Sequence, residues 1–213
     1  SAIGLTASMI QRAAASQKRI NEFLETEPAV RNGQADEKTI LKGEIRFEQV
    51  DFVYPNTGIR AIQDFNLAIR PGEKIAIVGR TGSGKTTLAQ LLLRMFDVTG
   101  GRIELDGTDI RQINLADLRE QISYVPQDVF LFSETVEKNI GFGLTAFDRT
   151  QVELAAGRAS VDKEIEGFSA SYETMIGERG VTLSGGQKQR ISIARALIKD
   201  PEFFLWIESN AGA

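Results

Sequence analysis

The chain contains no cysteine and no histidine in 213 residues. The first absence excludes a disulfide framework and thiolate metal sites, and agrees with a reducing compartment. The second removes every mechanism that needs an imidazole base or ligand from within the chain. Basic residues are not in excess either: 25 Lys and Arg face 29 Asp and Glu, a net charge of -4. With no basic field to release counterions, nucleic acid is not an expected partner. No apolar run reaches the 18 or so residues of a membrane span, and the first residues lack the compact apolar core of a secretory signal, so a soluble chain is expected. No repeat of 20 to 50 residues and no low-complexity tract appears.

What is present is enough for one substantial domain, with 42% apolar residues to build its core. Residues 2–27 read as a helix, with Met9, Ala13, Ile20, Phe23 and Leu24 at helical spacing and Pro28 just beyond. A polar stretch, "RNGQADEKT", follows and places a boundary near residue 43. From Gly43 the pattern turns to strands: Ile45 and Phe47 alternate with charges, and after one extra residue so do Val50, Phe52 and Tyr54. Phe65, Leu67 and Ile69 form a second alternating run before Pro71-Gly72, and both runs read as antiparallel, half-solvated strands. "KIAIVG", residues 74–79, is instead a continuous apolar run entering a glycine-rich turn, the pattern of a strand buried on both faces. Leu88, Leu91, Leu92 and Met95 then share one face of a helix. Further on, "RIELDG" and "QISYVPQ" read as strands, residues 148–167 as helical, "LSGGQ" as the opening of a helix, and "FFLW" as another buried strand. Strands interleaved with helices imply an α/β sheet.

Two motifs carry chemistry. Gly79-Arg80-Thr81-Gly82-Ser83-Gly84-Lys85-Thr86, followed by Thr87, matches G-x-x-x-x-G-K-[ST] between a strand pattern and an amphipathic helix. The glycines let backbone N–H groups curl around a phosphate, Lys85 reaches the β and γ oxygens, and the Thr86 hydroxyl is a ligand for Mg²⁺. Nucleotide binding follows, but kinases, GTPases, helicases and transport ATPases all share this loop. The second motif is Leu183-Ser184-Gly185-Gly186-Gln187, a Ser and two Gly at a helix start. It reads as a second anion site of N–H groups and a hydroxyl, or as an ordinary Ser-capped helix.

The second motif resembles the signature of ABC transporters, and nearly everything from Gly43 to Pro201 is similar to the ATP-binding domain of ABC exporters. The resemblance implies a P-loop NTPase core of α/β class, with an antiparallel β subdomain and an α-helical signature subdomain. It implies that Tyr54, in "FVYP", stacks on adenine, a task its flat π-face suits. Gln127, in "VPQD", would be the glutamine that approaches Mg²⁺ and the attacking water. Residues 176–197 are similar to the exporter X-loop and signature, and Phe130–Ile140, "FLFSETVEKNI", to the segment that docks the coupling helices of a membrane domain. Residues 1–42 would then be a connector helix and linker from an upstream membrane domain, and 43–213 the ATP-binding domain. Two such domains would pair head to tail, as homodimer or heterodimer, with Ser184, Gly185, Gly186 and Gln187 of each closing on ATP held by the other. The implied cofactors are ATP and Mg²⁺, and the implied place is the cytoplasmic face of a membrane.

The resemblance breaks at the end. In the family an apolar strand closes with Asp then Glu; counted from Pro201, Ile207 stands in the place of the Asp and Glu208 in that of the catalytic Glu. Ile cannot coordinate a hard cation. After Glu208 the chain reads "SNAGA" where the family continues through a D-loop and a switch histidine. The reading is a domain truncated or altered after Trp206, with Glu208, Gln127 and Lys85 as its catalytic set and Thr86 and Gln127 as its metal ligands. The alternative is a degenerate module that pairs on ATP without turnover. Exposed core should make this exact chain prone to self-association. An ABC-type ATPase acting on DNA would need coiled-coil insertions and basic surface, and the sequence has neither.

Overall fold

A computed structural model describes residues 2–32, 38–177 and 182–207. The chain divides into two compact units, residues 1–31 and 32–213. The first is a single helix, α1 (Ala2–Leu24), somewhat shorter than its periodicity suggested. Its side chains Met9, Ile20, Phe23 and Leu24 are exposed.

The second unit holds two apolar cores. An antiparallel sheet carries the first, built from β1 (Ile45–Val53), β2 (Arg60–Ile69), β3 (Gly100–Leu105) and β4 (Thr108–Asp109) in the order β2-β1-β3-β4. The extra residue inferred in β1 is a bulge. Register shifts after Phe47, Gln49 takes φ 47°, and its N–H is satisfied by Asn66 Oδ1 at 2.8 Å. One inserted residue keeps Ile45, Phe47, Val50 and Phe52 all on the buried face. The β3–β4 hairpin turns on Asp106-Gly107 with φ of 50° and 77°, the two left-handed residues of a type I′ turn. Asp106 also accepts from the N–H groups of Lys42 (2.6 Å) and Glu44 (3.0 Å).

Against this sheet lies α2 (Lys85–Leu92), whose Leu88, Leu91 and Leu92 join its core. Met95 does not join them. The helix stops at Leu92, Arg94 turns into the left-handed region at φ 47°, and Met95 is left 52% exposed. The polar segment before Gly43 is tied into this body. Thr39 N–H donates to Asp117 Oδ2 and Leu41 N–H to Gln121 Oε1, both on α3 (Leu115–Gln121), and Leu41 is buried.

The second core is helical. α4 (Val136–Gly141), α5 (Arg149–Arg158), α6 (Asp162–Glu166), a 3₁₀ turn at Ser171–Glu173 and α7 (Gly185–Leu197) bury Val136, Ile140, Val152, Ile165, Ile176 and Ile191 together. β5 (Ile122–Val125) and β6 (Phe203–Trp206) form a two-stranded parallel sheet in register Ile122↔Phe203 to Val125↔Trp206.

Two strand expectations need correction. Residues 74–79 form no strand, and Ile75, Ile77 and Val78 are exposed at 41%, 46% and 76%. β6 does form, but only Phe203 is buried, with Phe204 and Trp206 exposed. The cause is shared. A strand apolar on both faces is stable only with partners on its edges and layers over its faces, and among the described residues β6 has a partner on one edge alone, β5.

Candidate functional site

The loop between β2 and α2 is shaped by its glycines. Gly82 and Gly84 take φ of 82° and 89°, a region costly for any other residue. At Gly84 there is a second constraint: a Cβ would stand 2.7 Å from the Ala61 carbonyl oxygen and 2.7 Å from Ile62 Cδ1. The loop therefore seats directly on β2. Gly84 is also the N-cap of α2 and offers no side-chain cap, so the first N–H groups of the helix are left for something else to satisfy. Lys85 folds back over the loop, its Nζ donating to the carbonyls of Gly79 (2.7 Å) and Arg80 (3.0 Å).

This loop floors a cavity of ≈ 700 Å³ whose other lining includes Tyr54, Arg60, Gln127 and Ile207. Tyr54 is fixed by hydrogen bonds of its hydroxyl with Thr87 Oγ1 (2.9 Å) and Gln90 Oε1 (3.0 Å), and by edge-on packing against Phe52 and Phe96. The charge of the cavity is one-sided. Arg60, Arg80 and Lys85 line it, and no carboxylate does among the described residues. A polyanion of nucleotide triphosphate size fits such a cavity, with loop N–H groups and a helix N-terminus at its floor.

Of the expected site residues, Tyr54, Gly79, Arg80, Thr81, Gly82, Ser83, Gly84, Lys85, Thr86, Thr87 and Gln127 all line this one cavity. Thr86 and Gln127, the expected metal ligands, are both there. They are two neutral oxygen donors, a set that suits Mg²⁺ when phosphate oxygens and water complete its octahedron. Ile207 meets the same cavity with hydrocarbon and adds no ligand. Glu208, the expected catalytic carboxylate, lies outside the described residues. Arg60 was not singled out by the sequence reading. Nothing local marks it, because it reaches the cavity only through the placement of β2 beside the loop.

The signature residues lie elsewhere and none lines the cavity. Ser184 is the N-cap of α7: its Oγ accepts from Gln187 N–H at 3.2 Å, and Gln187 Oε1 accepts from Ser184 N–H at 2.9 Å, a reciprocal capping box. Ser184, Gly185 and Gly186 are exposed, Leu183 is buried beneath them, and Arg190 pairs with Glu164 of α6. The turn is a self-capped, outward-facing platform. Part of the expected X-loop, residues 178–181, is outside the described residues.

The segment Phe130–Ile140 is built around one buried amide. Asn139 is fully buried; its side chain accepts from Phe132 N–H and donates to the carbonyls of Phe132 and Thr135. Arg195 of α7 donates to Phe130 O (2.9 Å), Asn139 O (2.7 Å) and Asn139 Oδ1 (2.8 Å), and burial holds its pKa below the usual arginine value. Above this frame stand Phe130, 68% exposed, and Phe142, 61% exposed, with the ring of Phe132 between them. Exposed aromatics on a hydrogen-bonded frame are a surface suited to a partner.

A family profile described as ABC transporter matches residues 62–209. The chain is 43% identical over 195 residues, 91% of its length and 28% of the relative's, to the mitochondrial potassium channel ATP-binding subunit of Xenopus tropicalis. It is 42% identical over 210 residues, 98% of its length and 35% of the relative's, to an ATP-dependent lipid A-core flippase of Alkalilimnicola ehrlichii. Among solved structures, a bacterial Atm1-family ABC exporter with ATP bound superposes with TM-score 0.86 and 33% identity, over 96% of this chain and 36% of that one. The chain thus spans about a third of the length of these relatives.

Proposed function

Because the chain belongs to the ABC transporter family and carries its ATP-binding fold, we propose that it is the ATP-binding and hydrolysing domain of an exporter. In this reading, ATP-driven pairing of two such domains moves a substrate across a membrane. The observation that carries the reading is the cavity on the loop Gly79–Thr87, lined by Arg60, Arg80 and Lys85 and, among the described residues, by no carboxylate.

Each residue has a task in that cavity. The Lys85 ammonium leaves its loop carbonyls for the β and γ oxygens of ATP, and the uncapped start of α2 presents N–H groups to the β-phosphate. Tyr54 offers its ring to adenine, held at the correct tilt by Thr87 and Gln90. Thr86 and Gln127 would hold Mg²⁺, which when bound neutralises charge on the phosphoryl oxygens. Gln127 also orients the attacking water, and Glu208 takes its proton. Ser184 and Gly186 serve ATP held by a second copy or a related domain, across a two-fold interface. The distance of the signature from the cavity within one chain supports that division of labour.

Further proposals follow from the same reading. Residues 1–42 connect to an upstream membrane domain, whose coupling helices rest on the aromatic surface around Phe130–Ile140. The domain then works at the cytoplasmic face of a membrane. The test is steady-state phosphate release from MgATP, with Lys85→Ala as control. Turnover that disappears in the control supports hydrolysis by this chain. Binding without turnover favours the module that pairs on ATP and does not hydrolyse it, and no binding overturns the reading.

A further inference from the structure

We propose that Arg119 is a positioning residue for the nucleotide: it pins the C-terminal end of α2, and Lys199 ties that pin to the helix whose first turn is capped by Ser184. This inference rests on the nucleotide reading above and adds to it the side chains that hold the phosphate loop from behind.

The two ends of α2 are treated differently. At its start no side chain caps the N–H groups. At its finish the carbonyls are claimed: the Arg119 guanidinium donates through Nε to Leu93 O (3.0 Å) and through Nη2 to Arg94 O (2.9 Å). Leu93 is the C-cap of the helix, and Arg94 is the left-handed residue that follows it. With eight residues, α2 is about 12 Å long, so a slide or tilt at one end is passed directly to the other. Its Leu88, Leu91 and Leu92 pack in the core of the sheet, but apolar contact has no preferred direction. A planar fork on two carbonyls does have one. It sets the axial position and the rotation of α2, and with them the aim of the N–H groups that meet phosphate.

Arg119 can serve as a pin because it is itself held. Its neighbour Leu118 is fully buried, and Asp117 and Gln121 of the same helix accept from the N–H groups of Thr39 and Leu41. The backbone carbonyl of Arg119 accepts from Lys199 Nζ at 3.2 Å. Burial holds the pKa of Lys199 below the usual lysine value, so this ammonium is short of water and depends on its protein acceptor. Lys199 stands two residues beyond the end of α7, whose start is the Ser184–Gln187 capping box. A train of helices and charge-assisted hydrogen bonds therefore runs from Lys85 through α2, Arg119 and Lys199 to α7, joining the nucleotide cavity to the exposed signature.

The experiment is equilibrium dialysis of MgATP against the whole chain, well below its melting temperature. There nearly every molecule is folded, so a loss of stability alone leaves the affinity unchanged, whereas a misplaced loop lowers it. Arg119→Lys keeps the charge and loses the fork, and Arg119→Gln loses both. Expected is an affinity lowered by roughly five- to thirtyfold in each, lysine giving no rescue. Lys199→Met should lower it by roughly two- to fivefold. The double variant Arg119→Lys with Lys199→Met should bind no more weakly than Arg119→Lys alone, because both act through one connection. Parent affinity in Arg119→Lys overturns the fork as a positioning device and leaves the proposed function standing. An unchanged affinity in Lys199→Met, or losses that add in the double variant, overturns the tie to α7. A parent chain that binds no ATP overturns the inference and the nucleotide reading together.

Discussion

Two glycine-rich turns in this chain lead into helices, and they treat the helix N-terminus in opposite ways. At α7 the free N–H groups are answered from within, by the Ser184–Gln187 capping box. At α2 the N-cap is Gly84 in the left-handed region, with no side chain to answer them. A helix start that satisfies itself is finished before any ligand arrives, and it keeps its shape as an exposed platform. One that leaves its donors open, beside Arg60, Arg80 and Lys85, is a site that asks for phosphate. In the proposed reading the first turn is the primary nucleotide site, and the second is an exposed, self-capped helix start.

The largest expected break in that contrast is Lys85→Ala. Each charge-assisted hydrogen bond to phosphate contributes about 1.5–3 kcal/mol, so ATP affinity should fall on the order of 100-fold. Equilibrium dialysis checks it, and retained affinity would move the primary site away from this turn. Gly84→Ala comes next. It forces a Cβ into φ 89° and to within 2.7 Å of Ala61 O. We expect a loss of about 2–3 kcal/mol of stability, read as a melting temperature lowered by roughly 5–10 °C, with nucleotide binding lost alongside. An unchanged melting temperature would mean that the loop is not seated on β2.

These two positions were legible in the sequence because a phosphate loop is a local object: spacing alone sets its turn, its lysine and its helix. The bulge in β1 was legible for a similar reason, since one inserted residue shifts a period of two. What the sequence could not show depends on neighbours distant in the chain. "KIAIVG" has the composition of a buried strand, yet burial is granted by the strands beside it, and among the described residues none pairs with it. Met95 kept helical spacing, but Arg94 had already left the helix. Arg60 joined the cavity through sheet placement, which no motif encodes. The signature was readable as an anion site or as a capped helix, and the structure shows the cap, while its service to a second nucleotide stays with the proposal.

Smaller effects sharpen the other side of the contrast. Ser184→Ala removes the acceptor for Gln187 N–H and should cost about 1 kcal/mol of stability. Its ATP affinity as an isolated chain should match the parent, because none of the signature lines the cavity. A tenfold loss of affinity in that variant would show that one chain's nucleotide touches both of its own turns.

Gly185→Ala should do least, and for that reason it is the most discriminating partner to Gly84→Ala. Among the described residues a Cβ at Gly185 meets nothing within 4 Å, and the residue is the first of a regular helix with no left-handed backbone to strain. Alanine there trades backbone freedom for helix propensity, so stability should hold or rise by up to about 0.5 kcal/mol. The same substitution in two similar motifs would then give a large loss in one and none in the other. Among the described residues nothing fills the space above Gly185, so a glycine there costs helix propensity without return unless another body approaches. Pairing measured by sedimentation in the presence of MgATP separates the cases. A variant that melts like the parent yet pairs less would mean that the space is reserved for a partner's phosphate, whereas unchanged pairing would mean that the second turn is a capped helix and nothing more.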